Sequence, residues 1–118
     1  MAAKSGKTAV VTGASSGIGR ATALRLAAEG WQVFAGLHRL DGNAPEHERI
    51  TPFQLNVADS SSVSEASAGV TELLGERGLN LLVNNAGIGC LTPTEFVTPA
   101  ELQQIFSINV FGLVATTQ

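Results

Sequence analysis

The 118-residue sequence contains no tyrosine, one tryptophan, one methionine and one cysteine. A lone cysteine, Cys90, cannot close an internal disulfide, so a reducing compartment is expected. Long apolar runs are missing as well: none approaches the roughly 20 residues that span a bilayer. Behind Lys4 and Lys7 the apolar run is broken at Thr12-Gly13, so it does not form a signal-peptide core. No basic run occurs and the net charge is −3, which argues against nucleic acid as a partner. Metal ligands at suitable spacing are also absent, so no metal site is expected. His47 lies in a polar turn and reads as solvated surface, and Cys90 as a small apolar filler more than a reactive thiol. A cytoplasmic protein with no membrane partner is the expectation.

What is present is a globular composition, 44% apolar and 14% charged, of a length that allows at most one domain. Thr8 to Thr12 (TAVVT) is a short β-branched run that suits a buried strand. From Gly17 to Glu29 the pattern is helical, with Thr22, Arg25 and Glu29 on one polar stripe and Gly30 as the stop. Strands are expected over 31–37 (WQVFAGL), 50–57 (ITPFQLNV) and 79–83 (LNLLV). Pro52 falls near the start of its strand, where a missing N–H is tolerated. Asp41-Gly42-Asn43 and Pro45 make the segment between the second and third strands a turn. Asp59 to Arg77 reads as a helix with Ser62 and Glu65 at capping-box spacing, or with Asp59 or Ser60 as the cap, and Gly78 as its stop. Thr98-Pro99-Ala100-Glu101 opens a last helix running towards the C-terminus. The order β-α-β-β-α-β-α predicts an α/β fold, a Rossmann-like doubly wound parallel sheet of about four strands.

The glycines at 13, 17 and 19 stand where the first strand passes into the first helix. A glycine-rich turn there seats a pyrophosphate, because the helix N-terminus offers unpaired N–H donors and a partial positive charge. Gly13 permits the tight turn, Gly17 the approach of backbone to phosphate, and Gly19 close packing of helix and strand, while Ser15 and Ser16 add hydroxyl donors. The alternative is a tight strand–helix turn that binds nothing. A kinase-type phosphate loop is excluded, since Gly6-Lys7-Thr8 precedes the strand and its first glycine would fall on Met1.

Together these residues resemble the short-chain dehydrogenases/reductases. Thr12 to Gly19 is similar to that family's cofactor loop, TGxxxGxG, and Asn84-Asn85-Ala86-Gly87 to its NNAG motif. Asn56-Val57 stands where members carry Asp-Val or Asn-Val. Asn109 stands where the family has the asparagine of its Asn-Ser-Tyr-Lys catalytic group. VFAGL and GLNLLVNNAG resemble, more weakly, the retinol and hydroxysteroid dehydrogenase branch. The resemblance implies an NAD(P)-dependent oxidoreductase that transfers a hydride between a small alcohol and a carbonyl, in a homo-oligomer. It implies that Gly13, Ser15, Ser16, Gly17, Ile18 and Gly19 line the pyrophosphate, that Asn56 and Val57 hold the adenine, and that Asn85, Ala86 and Gly87 flank the ribose. The alternative for Asn84-Asn85 is a strand-end turn closed by side-chain amides. The family's NAD users carry an acid at the end of the second strand; here Leu37 is followed by His38 and Arg39, which favours NADP over NAD.

Asn109 also shares a helical face with Leu102, Ile105, Phe106 and Leu113, which puts an amide on an apolar stripe. The family uses this asparagine to help hold a water that leads to the catalytic lysine. The other reading is an amide bonded to a nearby backbone carbonyl. The family's catalytic serine and Tyr-x-x-x-Lys pair lie beyond Asn109, and the chain ends nine residues after it. The expectation is therefore the N-terminal, cofactor-binding part of one Rossmann domain, residues 1–118, inactive by itself. A non-catalytic dinucleotide-binding or regulatory module and a fragment without function are the alternatives.

Overall fold

A computed structural model of the chain describes residues 6–118; Lys4, and with it that part of the N-terminal reading, lies outside them. Four strands form one parallel sheet in the order β3-β2-β1-β4: β1 (Thr8–Thr12), β2 (Gln32–Leu37), β3 (Ile50–Gln54) and β4 (Leu81–Val83). Thr8 pairs with Gln32 and Thr12 with Gly36 on one side of β1, and Ala9 to Val11 pair with Leu81 to Val83 on the other. All five residues of β1 are buried, as a strand covered on both faces and paired on both edges must be. β3 is an edge strand, so Pro52 costs the sheet no ladder bond on its outer side.

Alternation along the strands divides the core in two. Val11, Val33, Ala35 and Leu37 face α1 (Gly17–Ala28), which contributes Ala23 and Ala27. Val10 and Phe34 face α2 (Ser60–Leu74), which contributes Val70 and Leu74. Burying each of the larger aliphatic side chains here is worth about 1.5–3 kcal/mol. Helices on both faces of a parallel sheet make this the doubly wound α/β fold expected.

Boundaries differ where side chains take over the backbone. β3 stops at Gln54 rather than at residue 57. One further sheet bond forms, Leu55 N–H to Leu37 O at 2.8 Å. Then the Asn56 N–H donates to Ser62 Oγ at 2.9 Å, and Asn56 Oδ1 accepts from the Ala58 N–H at 3.1 Å, turning the chain. Asp59 caps α2 by accepting from the Ser61 and Ser62 N–H groups, leaving Ser62 Oγ to Asn56. The α-helical part of α2 ends at Gly75 and a 3₁₀ turn carries the chain through Arg77. β4 begins at Leu81; beside it at the same end of the sheet, Asn80 joins the start of β1 through its carboxamide, which accepts from the Thr8 N–H at 2.9 Å.

The last helical segment is not uniform. It runs as α3 (Pro99–Phe106), a π-helical stretch (Ser107–Gly112) and α4 (Leu113–Thr117). Its inward side carries Ile105, Ile108, Asn109 and Gly112, whereas Leu102, Phe106 and Leu113 are exposed. The apolar stripe read from the sequence is thus split. Close approach selects the small residue: a Cβ on Gly112 would lie 2.7–2.9 Å from the side chain and carbonyl oxygen of Val57. Among the described residues, no helix is long and apolar enough to cross a membrane.

Candidate functional site: a cleft at the strand ends

The connections leaving the C-terminal ends of all four strands meet around one cleft of about 530 Å³. The β1–α1 loop contributes Gly13, Ser15, Ser16, Gly17 and Ile18; His38 follows β2, and Leu55, Asn56 and Val57 follow β3. Asn85, Ala86, Gly87 and Ile88 follow β4, and Ile108 comes from the π-helical stretch. The cleft lies where the strand order reverses about β1, the usual ligand crevice of an open α/β sheet.

The glycines divide their work. Gly17 has φ +57°, and a Cβ there would meet no protein atom within 4 Å. It leaves bare backbone facing open space at the head of α1, where the first-turn amides have no intrahelical acceptor. Ser16, the N-cap residue, makes no side-chain capping bond. Gly19 does the opposite: a Cβ there would overlap Gly13 O and Asn85 Nδ2. Its role is close packing against the loop and Asn85 rather than against a strand.

Thr12 wires these loops together, a role not assigned to it from the sequence. Its buried hydroxyl accepts from the Asn85 N–H at 3.0 Å and the Ala86 N–H at 2.9 Å. Asn85 Nδ2 in turn donates to Thr12 O and Gly13 O at 3.1 and 3.0 Å. The Asn84 carboxamide points elsewhere, Nδ2 donating to Thr117 Oγ1 at 3.0 Å. The two amides thus tie the β4 turn to the end of β1 and to the last helical segment instead of closing it on itself, and Asn85, Ala86 and Gly87 line the cleft.

Asn109 grips the same segment from the other side. Its Oδ1 accepts from the Ile88 N–H at 2.8 Å and its Nδ2 donates to Ile88 O at 2.7 Å. The amide is bonded to backbone through both ends and holds residue 88 at the cleft wall.

Of the expected site residues, Gly13, Ser15, Ser16, Gly17, Ile18, His38, Asn56, Val57, Asn85, Ala86 and Gly87 line the cleft together. Gly19 and Asn109 stand one layer behind it, each touching a lining segment. Arg39 is exposed and outside the lining. Leu55, Ile88 and Ile108 complete the wall without having been expected. Only their adjacency to the Asn-Val, NNAG and Asn109 positions could have marked them. Cys90 is half-buried and outside the lining.

The family model for short chain dehydrogenases matches residues 7–118. The chain belongs to the short-chain dehydrogenase family. It is 37% identical over 114 residues to the NADPH-dependent 3-dehydrocapnine reductase of Ornithobacterium rhinotracheale, covering 93% of this chain and 40% of that one. It is 35% identical over 112 residues to retinol dehydrogenase 5 of Mus musculus, covering 91% and 35%. Among solved structures, the NADPH-bound carbonyl reductase from chicken fatty liver superposes with a TM-score of 0.89 at 31% identity, covering 95% of this chain and 49% of the other. The chain thus spans less than half the length of each of these relatives.

Proposed function

We propose that this member of the short-chain dehydrogenase family binds NADP, or less favourably NAD, in the cleft and serves as the cofactor-binding part of an oxidoreductase acting on a small alcohol or carbonyl compound. The observation that carries this reading is the bare Gly17 backbone, open to the cleft at the head of α1, while the neighbouring Gly19 is packed solid. The names of the NADPH-dependent and NADPH-bound relatives support the same cofactor.

In this reading the first-turn amides of α1, with Ser15 and Ser16, would hold the pyrophosphate. Leu55, Asn56 and Val57 would hold the adenine, Asn85 to Gly87 the ribose next to the nicotinamide, and His38 with Arg39 the adenosine 2′-phosphate. The bound nicotinamide would supply or accept the hydride. Thr12 and Asn109 orient the walls without touching the cofactor. The cleft contains no tyrosine or lysine to move a proton at its β4 end. With no tyrosine in the sequence, dinucleotide binding without turnover is the second reading for these 118 residues. Residues 1–118 are read as part of one dinucleotide-binding domain, in a cytoplasmic homo-oligomer.

Calorimetric titration with NADPH tests the site. Gly17→Val is expected to weaken binding at least tenfold, since its side chain would meet only the ligand, and to lower the melting temperature as well, because φ +57° strains a β-branched residue. Gly19→Ala, driven into Gly13 O and Asn85, is expected to lose several degrees of melting temperature. Unchanged affinity in a folded Gly17→Val variant would overturn the assignment.

A further inference from the structure

The sequence holds two aspartates, Asp41 and Asp59, and only Asp41 is followed by glycine. Asp41-Gly42 lies on the connection from β2 to β3, outside any helix or strand, with both residues exposed. Gly42 stands at φ +87°, and a Cβ there would meet no atom within 4 Å. Among the described residues, neither the Asp41 carboxylate nor the Gly42 N–H has a hydrogen-bond partner. The aspartate carboxyl carbon and the nitrogen of the next residue are the two atoms that close a five-membered imide. Here both are unpartnered and open to water.

Asp59 has the opposite surroundings. It is followed by Ser60, whose Cβ crowds the nitrogen, and Ser60 is the first residue of α2. Asp59 Oδ1 accepts from the Ser61 N–H at 3.0 Å and the Ser62 N–H at 3.5 Å. Those bonds hold the carboxylate over the helix head, so it cannot turn onto the Ser60 nitrogen without giving up the cap.

We infer that Asp41 is a site of spontaneous isoaspartate formation in the folded protein. The Gly42 nitrogen attacks Asp41 Cγ; a new N–C bond forms, a C–O bond breaks, and the amide proton leaves with the carboxyl OH as water. Glycine favours this step, because no Cβ shields its nitrogen and its backbone turns freely. Water then adds to one of the two imide carbonyls. Opening at Cγ restores aspartate. Opening at the main-chain carbonyl leaves the chain running through Cβ and Cγ, with the former main-chain carbon as a free carboxylate. One water departs and one returns, so no oxidant, nucleotide or enzyme is needed. The product inserts one more main-chain bond, ~1.5 Å long, between buried Leu37 and buried Pro45. Asn43 O, which accepts from Arg20 Nη1 at 3.3 Å, lies in the same span. With Gly42, Ala44 and Glu46 it walls a groove that meets the cleft at Ser15 to Gly17. The reaction thus alters this wall and spares both halves of the core.

The test ages the full chain at neutral pH and physiological temperature. Samples are labelled with a protein isoaspartate methyltransferase and S-adenosylmethionine, and the tryptic peptides 40–49 and 50–77 are compared. Peptide 40–49 should gain isoaspartate at unchanged mass about tenfold faster than peptide 50–77. Deamidation of Asn43, in the same peptide, is told apart by its gain in mass. Urea should speed the reaction at Asp59 by dissolving its cap, and leave the rate at Asp41 nearly unchanged. In Asp41→Glu, whose longer side chain would have to close a six-membered ring, the unchanged-mass signal should disappear. Equally slow rates at the two aspartates of the folded chain would overturn the inference. So would a signal at Asp41 that appears only in urea, or label confined to the mass-shifted peptide.

Discussion

At the scale of single residues, the hydroxyl of Thr12 is the most economical device behind the cleft wall. One buried oxygen satisfies two backbone N–H groups of the β4 turn, and the same residue's carbonyl accepts from the Asn85 side chain. Thr12→Val keeps the shape and removes the acceptor, leaving the Ala86 N–H unpaired and the Asn85 N–H with Val83 O alone in a half-buried turn. The expected loss is about 1–3 kcal/mol, read from urea unfolding. Thr12→Ser, which keeps the oxygen, should recover most of it. Asn109 acts on the same wall, but its partner Ile88 is exposed, so water can replace a lost bond there. Substituting Asn109 should therefore loosen residue 88 more than it lowers global stability.

At the scale of elements, the head of α3 shows what a local signal can specify. Thr98 Oγ1 accepts from the Glu101 N–H at 3.2 Å, and Glu101 Oε2 accepts from the Thr98 N–H at 2.9 Å, closing the capping box read from the sequence. The Thr98 N–H, and secondarily the Thr98 hydroxyl, hold the Glu101 carboxyl below the usual carboxylate range. Because the folded value is depressed, this contribution is complete above the ordinary carboxylate pKa and is lost as pH falls through the folded one. The gap in melting temperature between wild type and Glu101→Gln should be constant above about pH 5 and close as the pH drops below about 4. Thr98→Ala should cost about 1 kcal/mol. Such signals were legible because donor and acceptor lie within a few residues of each other, as do Gly13, Gly17 and Gly19 at the start of α1. The π-helical stretch was not legible, because its causes lie far off in sequence: Gly112 against Val57, and Asn109 on Ile88. The early end of β3 was hidden for a similar reason, a hydroxyl six residues ahead taking the Asn56 N–H. That His38 lines the cleft and Arg39 does not depended on which way the chain leaves β2 after buried Leu37.

At the scale of the molecule, the large apolar side chains of the last helical segment point outward. Leu102, Phe106, Val110, Phe111, Leu113 and Val114 are all between 39% and 65% exposed. With β4 at the open edge of the sheet, this surface favours association. The 118-residue chain is expected to sediment as concentration-dependent oligomers, and Phe111→Lys should shift it towards monomer with little change in melting temperature. It is also expected to show no steady NADPH oxidation with a panel of ketones and aldehydes, since acid–base help worth ~10²–10⁴-fold has no tyrosine to provide it. Sustained turnover by a preparation of confirmed mass would refute that. The sheet itself has a different consequence. β1 is buried along its whole length and laddered on both sides, so no partial opening can bare its amides while β2 and β4 stay in place. In deuterated solvent its N–H groups should be the last to lose their protons, at a rate set by unfolding of the entire sheet. The amides of α3 and α4, held by few inward contacts, should be gone long before, so the chain carries an internal clock that separates its stable centre from its outer arm.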